Sequence, residues 1–147
     1  MNELSSSGVR AERNLVHKFW AAGFAVLRSP ASGAGTHLPR PDLIVGSVEK
    51  KKFYVLEIKT VGKKVLYIDN EQIEGLVEFA HRLGFKPVLG VKFKRKRIGF
   101  RFLKVPEQLE EVNKSSNYKI TYEHALSQGM TFGELIGEYK QKKIITD

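Results

Sequence analysis

The stretch that decides the fold is RPDLIVG at residues 40–46, followed after a short break by FYVLEIK at residues 53–59. β-branched and aromatic residues predominate in both halves, and the residues between them are polar enough for a hairpin loop. A hairpin folded about its centre, between residues 49 and 50, sets Asp42 opposite Glu57, because the two are equally far from that centre. Cβ atoms of opposed residues lie about 5 Å apart, so we expect these two carboxylates to be able to share one cation.

A lysine joins this acidic pair. Side chains two positions apart in a strand point to the same face, so Lys59 lies beside Glu57 while Leu56 and Ile58 turn the other way. Magnesium prefers carboxylate oxygen, keeps several waters and can activate one of them, and a nearby ammonium stabilises developing negative charge. The pattern therefore indicates metal-assisted hydrolysis of a phosphodiester. For these residues alone, a surface hairpin with a cross-strand salt bridge is the alternative.

Length and composition narrow the class of protein. The 147 residues are expected to form one domain, residues 1–147, large enough to bury a core without disulfide support. The absence of cysteine excludes Cys-ligated zinc and iron–sulfur sites and fits an intracellular, cytoplasmic setting. Neither a secretory signal nor an apolar run of the ~18 residues that span a bilayer is expected. A net charge of +9 predicts a polyanionic partner, with nucleic acid favoured over an anionic membrane surface.

The N-terminal segment predicts a helix from about Ser7 to Ala22, with Gly23 just past its end. Glu12 falls within the apolar stripe of this helix, where a carboxylate is costly unless it is paired or bound to a metal. Glu12 is therefore a candidate third acid, and a glutamate favoured by the helix dipole is the alternative. The stripe, at helical spacing, consists of Val9, Val16, Phe19 and Trp20.

Three arginines and a serine are candidates for phosphate contact. Arg10 and Arg13 lie on the predicted helix and face either solvent or phosphate. Arg28 ends the strand predicted after it, where a solvated strand end is the alternative, and Ser32 lies in the loop that leads to Asp42. That loop is rich in Gly, Ser and Pro, which lets its backbone approach a ligand closely.

A second helix is predicted from Asp69 or Asn70 to about Leu83, where Gly84 ends it, and a short strand precedes it. Gln72 lies in its first turn, where an amide could hydrogen-bond a metal-bound water or a phosphate. An ordinary exposed residue at a helix start is the alternative.

Residues 86–94 and 98–103 predict a second hairpin. Each phosphate that such a ribbon neutralises adds a slope of about −0.9 to the dependence of log affinity on log salt for duplex DNA. We interpret the ribbon as a DNA contact, and lysines that discourage edge-to-edge strand pairing are the alternative. Its basic residues are Lys92, Lys94, Arg95, Lys96, Arg97 and Arg101.

The C-terminal third predicts little chemistry. Residues 106–112 indicate a short helix, residues 118–122 an edge strand, and Thr131 the start of a last helix that runs past Tyr139. The spacing of Thr131 to Glu134 fits a capping box. Together the elements predict an α/β domain with a central mixed sheet of about five strands flanked by helices.

Five segments carry a resemblance to a known family. They are GVRAERNLV (8–16), GFAVLRSPASG (23–33), PD (41–42), EIK (57–59) and EQIEGL (71–76). In this order they resemble the archaeal Holliday junction resolving endonucleases, a family of the PD-(D/E)xK nuclease superfamily with a restriction-endonuclease-like core. The resemblance covers about the first 90 residues and thins in the basic hairpin and the C-terminal third.

The resemblance implies a metal site. Asp42 and Glu57 would bind Mg²⁺, for which Mn²⁺ is expected to substitute. The backbone carbonyl of Ile58 and the side chain of Glu12 would complete the protein ligands.

It also implies catalytic and DNA-binding residues. Lys59 would position or polarise the attacking water, Gln72 would lie at the rim of the site, and Ser32 would lie near the scissile phosphate. The residues that resemble the phosphate-contacting arginines of the family are Arg10, Arg13 and Arg28.

The implied substrate is a four-way (Holliday) DNA junction, cut on two strands during homologous recombination and repair at the nucleoid. A homodimer is implied too, because a two-fold dimer presents two identical sites to a symmetric substrate. Further recombination or replication partners are not predicted. Two alternatives stay open: a nuclease with the same core and another DNA substrate, and a non-catalytic architectural protein that binds DNA.

Overall fold

The computed structural model describes residues 6–30, 37–112 and 117–138, which form four helices and eight strands. The helices are α1 (Ser6–Ala21), α2 (Asn70–Leu83), α3 (Tyr122–Gln128) and α4 (Phe132–Ile136). The strands are β1 (Ala25–Arg28), β2 (Leu43–Ser47), β3 (Lys52–Val61), β4 (Val65–Asp69), β5 (Lys86–Phe93), β6 (Arg101–Lys104), β7 (Glu110–Glu111) and β8 (Asn117–Thr121). Within these described ranges, no helix has both the length and the apolar character needed to cross a membrane.

Five strands form one mixed sheet in the order β1-β2-β3-β5-β6, in which β3 and β5 are parallel and the other neighbours antiparallel. The β2–β3 hairpin pairs Leu43 with Leu56 and Ser47 with Lys52, so it folds about the centre that its sequence predicts. β4 and α2 form the crossover that a parallel pair of strands requires. The predicted α/β fold with a central mixed sheet of about five strands is confirmed.

Each face of this sheet has its own hydrophobic core. On one face, α2 packs Ile73 and Leu76 against a cluster that includes Val55 of β3. On the other face, α1 and α4 cover a cluster that includes Leu43 and Leu56. Since both faces are covered by helices, the ends of the strands and the flanking loops are the places where polar side chains can meet a ligand.

The buried stripe of α1 differs from the predicted one. Leu15 and Phe19 are its fully buried members, and the ring of Phe19 packs edge-on against Phe24 and Phe132 at centroid distances of 5.5 and 5.0 Å. The prediction that Trp20 belongs to the core is wrong, because its side chain is 71% exposed. The helix is rotated so that residues four apart, rather than the predicted set, meet the sheet and α4.

The boundaries of α2 and α4 agree with their capping residues. α2 follows Asp69 and ends at Gly84, whose φ of 83° is in the left-handed region that glycine tolerates best. At the start of α4, Thr131 Oγ1 accepts from the backbone N–H of Glu134, and the Glu134 side chain accepts from the backbone N–H of Thr131. The predicted capping box is confirmed. The prediction that this helix runs past Tyr139 is wrong: α4 ends at Ile136, where Gly137, with a φ of 84° in the left-handed region, caps it. Residues from 139 onward lie outside the described part of the chain.

The region after β6 contains two departures from the sequence predictions. Residues 106–112 form turns and β7 instead of a helix; the Gln108 side chain accepts the Lys104 backbone N–H at 2.7 Å, and Leu109 turns into the core. The strand predicted at the edge is β8, which is the central strand of a second sheet ordered β4-β8-β7. Its expected last residue, Tyr122, begins α3, a helix that was not predicted.

Candidate active site

The acidic pair lies at the open end of the β2–β3 hairpin. The pairing of Leu43 with Leu56 continues, one step beyond the ladder, to Asp42 opposite Glu57. Asp42 Oδ2 accepts a hydrogen bond from the Ile58 backbone N–H at 2.7 Å. The aspartate side chain is therefore held against β3 at the point where β2 has not yet begun.

The carboxyl group of Glu57 has a strongly altered pKa. The pKa of Glu57 is raised from its ordinary 4.5 to about 8. Burial is the largest cause, the charge of Asp42, a side-chain hydrogen bond with it and the charge of Glu12 act in the same direction, and the charge of Lys59 opposes them. Two adjacent carboxyl groups share a proton because both cannot ionise without compensation. A divalent cation between them would supply that compensation.

The donor set fits a hard cation. The N–H and C=O of one strand residue point to the same side, so the Ile58 carbonyl faces the same open side as the N–H that Asp42 accepts. No group of three or more His, Cys, Asp or Glu side chains in the described part of the chain is arranged to hold a metal. Two carboxylates and a carbonyl leave positions for water and phosphate oxygens, which is how magnesium is usually held.

Lys59 lies on the same face of β3 as Glu57, two residues further along the strand. The positive charge of Lys59 lies near the carboxyl group of Glu57 and lowers its pKa. The predicted convergence of two acids and a lysine at one end of the hairpin is what the backbone register produces.

Glu12 lies close to the pair but has a partner of its own. Its Oε1 accepts from Arg28 Nε at 2.9 Å in a partly buried ion pair that joins α1 to β1. This pairing satisfies a carboxylate that the core-facing flank of a helix would otherwise make costly. The structure thus brings Glu12 near enough to affect Glu57, while Arg28 is held at the edge of the site.

A cleft of about 340 Å³ opens beside Glu57, between α2 and residues 37–41. Gln72 lines it from the first turn of α2. Its neighbour Glu71 also lines the cleft and was missed in the sequence, since an acidic residue in a first helical turn is too common to indicate a site. Gly75 lets residues 37–41 approach α2 closely, because a Cβ atom at position 75 would lie 3.3 Å from the side chain of Pro39.

The loop between β5 and β6, residues 94–100, lies at the same end of the sheet as the acidic pair. Val61 at the end of β3 pairs with Phe93, and the Val61 carbonyl accepts the Lys94 backbone N–H at 2.7 Å. β6 begins at Arg101, three residues later than predicted, so the loop is longer than that of the predicted hairpin.

Two lysines of the ribbon formed by β5, β6 and the loop between them lie over aromatic rings. Lys92 Nζ is 5.9 Å from the ring centre of Phe100, and Lys96 Nζ is 4.9 Å from that of Tyr122. The exposed residues of the loop include Arg95, Lys96 and Arg97. The ribbon therefore presents cations to solvent at the end of the sheet that carries the acidic pair.

The other candidate residues fall into two groups. Arg10 and Arg13 are exposed on the outer side of α1. Ser32 lies outside the described residues.

The mixed sheet, with Pro-Asp and Glu-Ile-Lys set opposite each other at the open end of its central hairpin, defines a nuclease of the PD-(D/E)xK class. Comparisons with known proteins narrow this class to one family. The sequence model described as "Archaeal holliday junction resolvase (hjc)" matches residues 3–144. The chain belongs to this family.

Individual relatives agree along nearly their whole lengths. The chain is 32% identical over 140 residues to the crossover junction endodeoxyribonuclease Hjc of Archaeoglobus fulgidus, covering 95% of this chain and 96% of that protein. It is 36% identical over 146 residues to the protein of the same name from Sulfurisphaera tokodaii, covering 98% and 94%. The solved structure of the Archaeoglobus fulgidus Hjc, a Holliday junction resolvase, matches with a TM-score of 0.76 and 30% identity over 88% of this chain and 100% of that one.

Proposed function

We propose that this protein is a magnesium-dependent endodeoxyribonuclease that resolves four-way DNA junctions by paired phosphodiester hydrolysis during recombination and repair. The observation that carries the proposal is the pair of Asp42 and Glu57, two carboxyl groups forced together so that one holds a proton up to a pH of about 8. Such an arrangement costs stability in the free protein and has a chemical use when a cation arrives. Family membership supports the junction as the substrate.

Asp42, Glu57 and the Ile58 carbonyl would hold the metal, with Mn²⁺ able to replace Mg²⁺. Bound there, the ion would neutralise charge on the scissile phosphate and make a water molecule more acidic. Glu12 contributes negative charge close by and also fixes Arg28 through the 2.9 Å ion pair. We assign Glu12 to the metal site in this supporting position.

The remaining side chains act on the phosphate and the water. The ammonium of Lys59 lies on the Glu57 face of β3, where it can orient the attacking water and stabilise the charge that develops on phosphate oxygens. Gln72, in the cleft beside Glu57, can donate its amide hydrogens to the same phosphate. Ser32 is proposed as a further phosphate contact because its loop joins β1 to Asp42.

Cationic residues on both sides of the acidic pair would hold the DNA backbone. Arg28 flanks the pair on the α1 side through its ion pair with Glu12, and Arg10 and Arg13 would contact the backbone from exposed positions on α1. On the β5 side lies the basic loop with its preceding strand residue, which comprises Lys92, Lys94, Arg95, Lys96 and Arg97. Contacts of this kind position the duplex without reading its sequence, as recognition of junction shape requires.

An apolar groove beside the cleft supports the proposed homodimer. Two adjoining hollows of about 430 and 190 Å³ share Pro39 and Phe79. On this surface, Leu27, Leu38 and Leu83 are 66%, 74% and 44% exposed. Contiguous exposed apolar side chains of this kind mark a surface for interaction with another protein. A second copy on this groove would bring two cleavage sites close to one junction.

The test uses a synthetic immobile four-way junction and a linear duplex of matched sequence, with Mg²⁺, Mn²⁺ or EDTA. Wild-type protein should nick the junction in symmetry-related pairs and leave the duplex intact, and EDTA or Asp42→Asn should abolish the nicks. Asp69→Asn is the matched control, since this exposed aspartate makes no side-chain capping bond.

Other outcomes would favour the two alternatives. Cleavage of the linear duplex would keep the nuclease and remove the junction specificity. Tight binding of the junction without cleavage under any metal would contradict the catalytic proposal and favour an architectural protein.

A further inference from the structure

The outer face of α1 carries a stripe of cationic and aromatic side chains. Arg10, Arg13, His17 and Trp20 are all exposed and follow one another at intervals of three or four residues. At 3.6 residues per turn they fall within an arc of about 80°, so they form one continuous line along the helix. We call these four residues the α1 stripe.

Trp20 is the member that needs an explanation. It is the single tryptophan of the chain, and 71% of it is exposed, although tryptophan is on average a well-buried residue. In the described ranges 6–30, 37–112 and 117–138, no side chain of the α1 stripe takes part in an ion pair, and the Trp20 ring stacks on no other ring. A large apolar ring aligned with three nitrogen-bearing side chains suits a ligand with both negative charge and apolar surface.

The charge of this face is of one sign. Glu12 is the one carboxylate in the α1 sequence, and it is turned to Arg28 rather than outward. The α1 stripe therefore lacks the acidic side chains that neutralise basic ones on an ordinary solvated helix. The electrostatic complement of this face is a polyanion.

The N-terminal end of the α1 stripe lies in the same helical turn as Glu12. Arg13 directly follows Glu12, whose ion pair with Arg28 borders the acidic pair. From Arg10 to Trp20 the helix rises about 15 Å, at 1.5 Å per residue. Successive phosphates of one strand advance about 3.4 Å along the axis of a duplex, so a stripe that lies along that axis spans roughly four nucleotides.

We infer that the DNA contact proposed for Arg10 and Arg13 continues along the α1 stripe to His17 and Trp20, which hold the sugar–phosphate backbone of a junction arm as the arm leaves the cleavage site. Arg10 and Arg13 bind phosphates nearest the site, and His17 donates to the next one. Trp20 packs its ring against deoxyribose and donates its indole N–H to a phosphate oxygen. This inference rests on the proposed function, because that function supplies the junction arm.

The single tryptophan allows a direct test. Asp42→Asn protein is titrated with a fluorescently labelled four-way junction while anisotropy follows binding and tryptophan emission and acrylamide quenching follow Trp20. Binding should move the emission to shorter wavelength and protect the ring from acrylamide. Trp20→Ala should weaken junction binding by about fivefold, near the low end for removal of an aromatic that contacts nucleic acid.

A matched control is Leu126→Ala, which removes another exposed apolar side chain, on α3. It should leave junction affinity unchanged, and circular dichroism should show both variants folded. Binding of the junction with unchanged Trp20 emission would overturn the inference. So would an emission that changes with protein concentration in the absence of DNA, which would assign Trp20 to a contact between proteins.

Failure of the inference can be told apart from failure of the proposed function. Cleavage of the junction by wild-type protein with Trp20 still open to acrylamide would remove the inference alone. Protection of Trp20 in a bound junction that is never cut would remove the catalytic proposal alone. A protein that does not bind the junction at all would contradict both.

Discussion

At one end of the β2–β3 hairpin, Ser47 Oγ accepts the Lys50 backbone N–H at 3.1 Å and closes the turn; at the other end the same strands place Asp42 opposite Glu57. Every polar group named at the turn end has a partner within the chain. At the acidic end, burial and the neighbouring carboxyl group raise the pKa of Glu57 to about 8. The difference teaches that this hairpin is stabilised at its turn end, whereas the end where DNA and metal are proposed to bind holds two carboxyl groups that oppose each other's ionisation.

The largest effect that follows from this comparison is on cleavage. Glu57→Gln should reduce junction cleavage by about 10³-fold, because removing one metal-binding carboxylate forfeits several kcal/mol of transition-state stabilisation. Single-turnover cleavage of a labelled junction in Mg²⁺ measures it. The matched control is Glu107→Gln, exposed beyond the end of β6, which should cleave normally. Retention of a tenth of the activity by Glu57→Gln would contradict the proposed metal site.

Glu57→Gln should increase the stability of the protein, although it reduces cleavage. The pKa of Glu57 is raised on folding. Between pH 4.5 and about 8, the native protein therefore keeps a proton that the unfolded chain has already released. The stabilisation from this protonated carboxyl is complete below pH 4.5 and is lost as the pH rises through 8, by an amount on the order of a few kcal/mol. Glu57→Gln lacks this loss. Its advantage over wild type should therefore be small at pH 5 and largest at pH 9.

Urea unfolding of both proteins in EDTA at pH 5, 7 and 9 checks this prediction. Added Mg²⁺ should narrow the difference at pH 9, because a cation bound to the native state stabilises wild type more than the variant. A stability difference that does not change with pH would show that Glu57 and Asp42 are not coupled in the folded protein.

At the turn end, the expected effect is on stability without an effect on cleavage. Ser47→Ala should lower the free energy of unfolding by about 1 kcal/mol, because it removes the buried partner of the Lys50 N–H. Cleavage of the junction should remain within twofold of wild type. Ser127→Ala is the control, since that exposed hydroxyl donates to a carbonyl within its own helical turn, and it should cost less than half as much. Loss of cleavage in Ser47→Ala at full stability would contradict the separation of the two ends.

The smallest predicted effect compares the two ends of β5. Arg95→Gln, in the loop at the acidic end, should weaken junction binding a fewfold and reduce the slope of log affinity against log salt by about 0.9. Lys86→Gln, at the start of β5 and also exposed, should change neither quantity. Equal effects from the two substitutions would show that DNA is held by overall charge rather than by the end of the sheet that carries the acidic pair.

Local sequence was sufficient for the hairpin and its acidic pair. The register of β2 and β3 depends on a short turn and on alternating side chains, both of which are visible within 20 residues of sequence. The same holds for α2 and for the start of α4, where capping residues mark the boundary. The roles of Lys59 and Gln72 remain proposals, although the structure places both beside Glu57 or in its cleft.

Predictions that depended on distant partners were less successful. The periodicity of α1 is compatible with more than one buried stripe, and the packing of Phe19 against Phe132, over 100 residues away, selects the one that leaves Trp20 outside. β8 is central because β4 and β7 pair on its two sides, and its own alternation resembles that of an edge strand.

The sequence by itself determined the β2–β3 hairpin, the pairing of Asp42 with Glu57, and the excess of positive charge, because each follows from residues close together in the chain or from composition. Tertiary structure alone decided that Glu12 pairs with Arg28, that Glu71 lines the cleft, and that Trp20 faces outward beside two arginines. Those outcomes depend on which helix covers which face of the sheet. That choice is made by the packing of side chains from distant segments, a physical constraint that no local pattern contains.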